Sequence, residues 1–196
     1  MIWLLVLIVV LVVVVIVILS RRGGSPAARS QDPFLAAAPP QAAEALDLAP
    51  GSVITYDGRD WTVRGSLSMN TGGATWSEHL LDDTTTKRWL SVEVDTDVEL
   101  AWWTTRPLGA VSQGSAGDRA VTVDDVQYLL DERGTAQFSA TGTTGTTPSG
   151  TYTYADYVAD GGALASFERF GDGAWEVGVG HPIALHEVTI YPTGRP

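Results

Sequence analysis

The side chains in this 196-residue sequence best placed to do chemistry are four carboxylates: Glu78, Glu93, Asp156 and Glu168. Each sits in a short aromatic or β-favouring stretch. Trp76-Ser77-Glu78-His79-Leu80 is echoed by Tyr154-Ala155-Asp156-Tyr157-Val158, and Leu90-Ser91-Val92-Glu93-Val94 by Ala165-Ser166-Phe167-Glu168-Arg169. On that alignment Glu78 matches Asp156 and Glu93 matches Glu168, so four acids converge near a pseudo-two-fold cleft. Carboxylates brought together bind a cation, or raise one another's pKa for acid-base work. The alternative is that acids on strands face water or pair across strands with Arg88 and Arg169.

The other reactive residues carry less. His79, His181 and His186 are the only histidines. Glu78-His79 and His186-Glu187 are adjacent pairs, and neighbours on a strand point to opposite faces, so neither pair chelates. No metal ligand is assigned. There is no cysteine, which removes disulfides, thiolate ligands and a thiol nucleophile. No nucleophile elbow or phosphate loop is present, so no catalytic residue and no cofactor are assigned and the balance leans away from an enzyme. Trp102-Trp103 is a further candidate, because adjacent strand residues face opposite ways and one of the two indoles is free to line a ligand groove.

Charge narrows the partners. Three basic and three acidic residues precede Pro50, so the whole net charge of −11 lies on residues 50–196. That part repels phosphate, which excludes nucleic acid and anionic headgroups and leaves cationic or neutral partners.

These residues need elements to hold them. Ile2 to Leu19 is an unbroken apolar run of 18 residues, about 27 Å as a helix, close to the hydrocarbon thickness of a bilayer. A transmembrane helix is predicted over 2–20. Arg21, Arg22 and Arg29 follow it and no basic side chain precedes it, so the positive-inside rule predicts the N-terminus outside and the C-terminal domain in the cytoplasm. Residues 21–49, rich in Ala, Pro and Gly, read as a linker.

Residues 50–192 show alternating apolar stretches such as Trp61/Val63, Leu90/Val92/Val94 and Trp175/Val177/Val179, separated by turn signals such as Asp57-Gly58 and Asp172-Gly173. About ten to twelve such strands predict an all-β domain, a sandwich or paired small barrels. Asp57 precedes Trp61 as Asp124 precedes Tyr128, and the acidic stretches above repeat at a similar offset. An internal duplication, about 50–104 and 119–192, is the expectation. The Gly142 to Gly150 stretch reads as a loop without evident function.

The ordered series Pro50-Gly51-Ser52-Val53, Tyr56-Asp57-Gly58, Trp61-Thr62-Val63-Arg64-Gly65, Trp76-Ser77-Glu78, Trp89-Leu90-Ser91-Val92-Glu93, Phe167-Glu168-Arg169-Phe170 and Trp175-Glu176-Val177 resembles the bacterial family called domain of unknown function 4178. The resemblance covers roughly residues 46–192. It implies a β-rich, often membrane-tethered protein with no assigned activity, in the setting of membrane-stress physiology, and supplies no catalytic residues. The expected role is a membrane-tethered, non-enzymatic module that recruits a protein or a small cationic ligand. An enzyme or metal-binding domain built on the acids, and an extracytoplasmic binding domain with reversed topology, are the alternatives.

Overall fold

In the computed structural model of the chain, residues 47–94 and 97–193 are described. The predicted membrane helix over 2–20, its flanking Arg21, Arg22 and Arg29, and nearly all of the linker lie outside them. Among the described residues no helix is long and apolar enough to cross a membrane.

The described chain is all-β, as period-two patterning requires. Its strands are β1 (Val53–Tyr56), β2 (Arg59–Asn70), β3 (Thr75–Asp82), β4 (Lys87–Val94), β5 (Val98–Arg106), β6 (Val111–Gln113), β7 (Ala120–Val123), β8 (Val126–Gly142), β9 (Ser149–Val158), β10 (Leu164–Phe170), β11 (Glu176–Ile183) and β12 (Thr189–Tyr191). Short 3-10 turns at Leu108–Ala110 and Leu185–Glu187 follow β5 and β11.

All pairings are antiparallel within one 12-stranded sheet, ordered β12-β1-β2-β3-β4-β5-β11-β10-β9-β8-β7-β6. An additional β2–β8 pairing closes part of it on itself. The expectation of a sandwich or of two small barrels is therefore corrected: the fold is a single barrel of eight strands, β2-β3-β4-β5-β11-β10-β9-β8, with β12-β1 and β6-β7 as flaps. The physical reason is edge satisfaction. Each half presents the outer parts of β2 or β8 and of β5 or β11 as open edges, and the halves cover one another's edges. Alternation shows that strands exist but not which edges meet.

The barrel has three cores. Outward residues Leu81, Leu90, Val92, Leu100 and Trp102 pack beneath the β12-β1 flap with Ile54, Val188 and Ile190. Ala155, Tyr157, Ala165, Phe167 and Val177 pack on the other side beneath the β6-β7 flap with Val121 and Val123. The third core lies inside the barrel, where Leu67, Met69, Ala136, Phe138, Tyr152 and Tyr154 form one packed wall.

The element order repeats itself. Hairpin turns Asp57-Gly58 (φ 49° and 70°) and Asp124-Asp125 (φ 49° and 63°) join β1 to β2 and β7 to β8. Both central positions have positive φ, the type I′ geometry that suits hairpin twist. Each long strand then bulges after the same interval, between Val63 and Gly65 in β2 and between Leu130 and Glu132 in β8. The halves exchange their last strands, since β6 pairs with β7 and β12 pairs with β1.

Candidate functional site: an acidic barrel lumen

Strands β3, β4, β9 and β10 turn alternate side chains inward, and this places Glu78, Glu93, Asp156 and Glu168 on one cavity of about 870 Å³. An eight-stranded barrel is just wide enough to be filled by side chains or to hold one small ligand. Here the wall of β2, β8 and β9 is filled. The opposite wall carries Ser91, Ala101, Gly178 and Ser166, whose small size leaves the space open.

The bulges fix which residues are equivalent. Leu81 lies opposite Val63 and Leu80 opposite Gly65 across the first bulge. Tyr157 lies opposite Leu130 and Asp156 opposite Glu132 across the second. Asp156 therefore corresponds to Leu80, and Glu78 to Tyr154. Continuing through the ladders, Leu80 pairs with Trp89 and Asp156 with Ser166, so Ser91 corresponds to Glu168 and Glu93 to Phe170. The matching of Glu78 with Asp156 and Glu93 with Glu168 read from the sequence is off by two residues. Two is one full strand period, so all four acids still face the lumen.

At its centre, Glu78 Oε1 accepts from Trp76 Nε1 at 3.3 Å and from the Tyr152 hydroxyl at 3.4 Å. Ser166 Oγ donates to Glu168 Oε1 at 3.2 Å. Burial pushes the Glu78 carboxyl up to about 7, against the opposing pull of the Trp76 hydrogen bond and with Asp156 adding to the rise. Burial also lifts Glu168 well above the usual carboxylate range, and Glu78 and Asp156 reinforce it. Asp156 rises to about 6, again chiefly through burial, with Ser166 working the other way. At the rim, Tyr154 donates to Glu132 at 2.9 Å. Of the lumen-lining side chains eight are carboxylates and one, Lys87, is a cation.

The two neighbouring tryptophans divide as adjacent strand residues must. Trp103 lines the lumen. Trp102 faces outward into the core under the β12-β1 flap, tilted against Tyr56 at 4.6 Å and edge-on to Trp61 at 5.2 Å between ring centroids. The histidines lie apart from the cavity. His79 is buried between Ser66 and Ser77, and His181 meets the Tyr56 hydroxyl at 3.2 Å. Among the described residues no three His, Asp or Glu side chains are placed to hold a metal ion.

Sequence reasoning passed over Tyr152, Tyr154, Trp76, Trp89 and Ser166. Their signal was parity, because Tyr152-Thr153-Tyr154-Ala155-Asp156 puts both tyrosines on the face of the acid. It also passed over Thr144 and Thr146, whose loop between β8 and β9 contributes to the lining of the lumen.

The family model described as domain of unknown function (DUF4178) matches residues 49–185. The chain belongs to this family. The span shared with the family runs from just before β1 to the turn after β11, so every strand that lines the lumen falls within it. Uncharacterized proteins of Mycobacterium bovis and Mycobacterium tuberculosis are 36% identical over 169 residues, covering 83% of this chain and 80% of theirs. No solved structure matches the chain.

Proposed function

We propose that this DUF4178 member is a membrane-tethered, non-enzymatic binding module that takes a small organic cation into its barrel lumen. One observation carries the reading: a cavity of about 870 Å³ lined by eight carboxylates against a single lysine. Ligand cavities typically run from about 300 to 1,000 Å³. Carboxylates crowded into a space of low dielectric are satisfied either by protons or by an opposite charge, and the raised Glu78, Asp156 and Glu168 carboxyls are the proton-filled version. A bound cation displaces those protons. The absence of a metal-type ligand group among the described residues favours an organic cation over a metal ion.

Calorimetric titration of the purified full chain with a panel of small ammonium compounds tests this. At least one binds with a heat that varies with the ionisation enthalpy of the buffer, and the Glu78→Gln/Glu168→Gln double variant loses it. Equal binding by wild type and double variant refutes the reading.

The apolar run over 2–20 followed by Arg21, Arg22 and Arg29 supports a tether that holds the barrel on the cytoplasmic side. Because the chain has no cysteine, Asp172→Cys in the exposed β10-β11 turn gives a single labelling site. A membrane-impermeant maleimide should label it only after lysis; labelling of intact cells reverses the topology.

A further inference from the structure

Within the lumen, Trp103 is a ring held by construction. Its Nε1 donates to Ser91 Oγ at 3.0 Å, which fixes one edge. Beneath it runs β11, where Gly180 lies directly opposite Trp103. A Cβ at Gly180 would stand 2.6 Å from Cε3 and 2.7 Å from Cδ2 of the indole, and one at Gly178 would stand 3.6 Å from Cε3. Gly180 thus leaves no room for any side chain beneath the ring, and Gly178 extends the same bed at van der Waals distance. Trp89 lies directly across from Trp103 on β4 and also lines the lumen. The part of the Trp103 ring that is not seated faces a cavity whose charged groups are overwhelmingly acidic.

An indole face attracts a cation through its quadrupole, and tryptophan is the best of the aromatic side chains at doing so. Cations differ in what else they need. A primary ammonium carries three N–H donors and a large dehydration cost, and each N–H needs an acceptor placed for it in return. A quaternary ammonium has no N–H to satisfy and is weakly hydrated, so a preformed π face together with the diffuse field of the acids suits it.

We infer that Trp103, seated over Gly178 and Gly180, is the platform for a quaternary ammonium group, and that the ligand belongs to that class. This rests on the cationic-lumen reading. The test compares three probes on the full chain: choline, its neutral carbon isostere carrying a tert-butyl group in place of the trimethylammonium, and butylammonium. Choline should bind and perturb the tryptophan fluorescence, with the neutral isostere at least about tenfold weaker. Trp103→Leu should weaken choline by about tenfold or more while leaving butylammonium within about twofold.

If choline and butylammonium bind alike and Trp103→Leu weakens both equally, the platform is refuted while the acidic lumen stands. If no ammonium probe binds the wild type, both readings fall. Should circular dichroism show that Trp103→Leu does not fold, Ser91→Ala decides. It frees the ring edge, so choline affinity should drop several-fold, and unchanged affinity overturns the inference.

Discussion

Tyr152 donates its hydroxyl to Glu78 Oε1 at 3.4 Å, a bond between the two halves of the chain across 74 residues. It is made in a place where the carboxyl prefers to keep its proton. Glu78 lies at about 7 in the folded protein against an ordinary 4.5, so between those values the native state binds a proton that the unfolded chain has released. Stability contributed by the protonated form is complete below about 4.5 and lost as pH rises through 7. Glu78→Gln removes this loss. Relative to wild type, the variant should gain about 3 kcal/mol between acid and alkaline ends of that window, measured by urea denaturation at each pH. A constant difference between the two proteins across the window contradicts the assignment.

His79 works in the opposite sense. Its Nδ1 lies 2.8 Å from Ser66 Oγ and its Nε2 3.0 Å from Ser77 Oγ, and burial lowers it to about 4 from 6.5. A depressed pKa contributes stability that is present above about 6.5 and lost as pH falls toward 4. Nitrogen chemical shifts should report a neutral imidazole at pH values well below the ordinary histidine range. His79→Gln should remove the acid-side decline and expose the alkaline-side decline due to Glu78. An imidazole that titrates normally would rule this out.

The closing seam of the barrel is set by two glycines that face each other, Gly65 of β2 and Gly142 of β8. A Cβ on Gly65 would stand 2.4 Å from the Thr143 carbonyl oxygen, which is backbone and cannot step aside. Gly65→Ala should therefore cost about 3 kcal/mol or more. Gly73, beside which a Cβ would meet nothing within 4 Å, is the control, and Gly73→Ala should stay within about 0.5 kcal/mol of wild type. Thermal unfolding of the two variants checks the contrast, and similar melting temperatures would deny the seam its role.

Thr84, in the turn between β3 and β4, has φ 76°, a left-handed conformation that a β-branched residue resists. Its N–H donates to Asp82 Oδ1 at 2.7 Å, a bond that any residue type retains. Thr84→Asn should stabilise the protein by roughly 0.5–1 kcal/mol, because asparagine tolerates that region. Destabilisation on equilibrium unfolding would show that the threonine side chain makes a contribution of its own.

Much of this was legible in the chain. Strand existence followed from alternation at Trp61/Val63 and Leu90/Val92, and the hairpins from Asp57-Gly58. The matched spacing of Asp57-Trp61 and Asp124-Tyr128 falls on the hairpins β1-β2 and β7-β8. The four acids stood out because each interrupts a β stretch. What could not be read was closure, since β2–β8 and β5–β11 are long-range edge pairings without a local signature. The equivalences within the repeat slipped by two because the connections differ in length, residues 71–74 between β2 and β3 against 143–148 between β8 and β9, and alternation alone does not mark which residues pair. The partition of Trp102 and Trp103 required knowing which face of β5 is the lumen. Nothing local in Gly178-Val179-Gly180 marks the ring that rests on it, because Trp103 lies 77 residues before Gly180 in the chain.

The reciprocal exchange of β6 and β12 has a consequence for symmetry. A half-length chain pairing with its own copy would satisfy the same ladders, as a symmetric homodimer whose lumen is necessarily identical on both sides. A single continuous chain is free of that constraint. Leu80 and Asp156 occupy equivalent positions, as do Ser91 and Glu168, so the two sides of the lumen differ. All three lumen indoles, Trp76, Trp89 and Trp103, come from the first half and five of the eight lumen carboxylates from the second, an asymmetry closed to any pair of identical subunits.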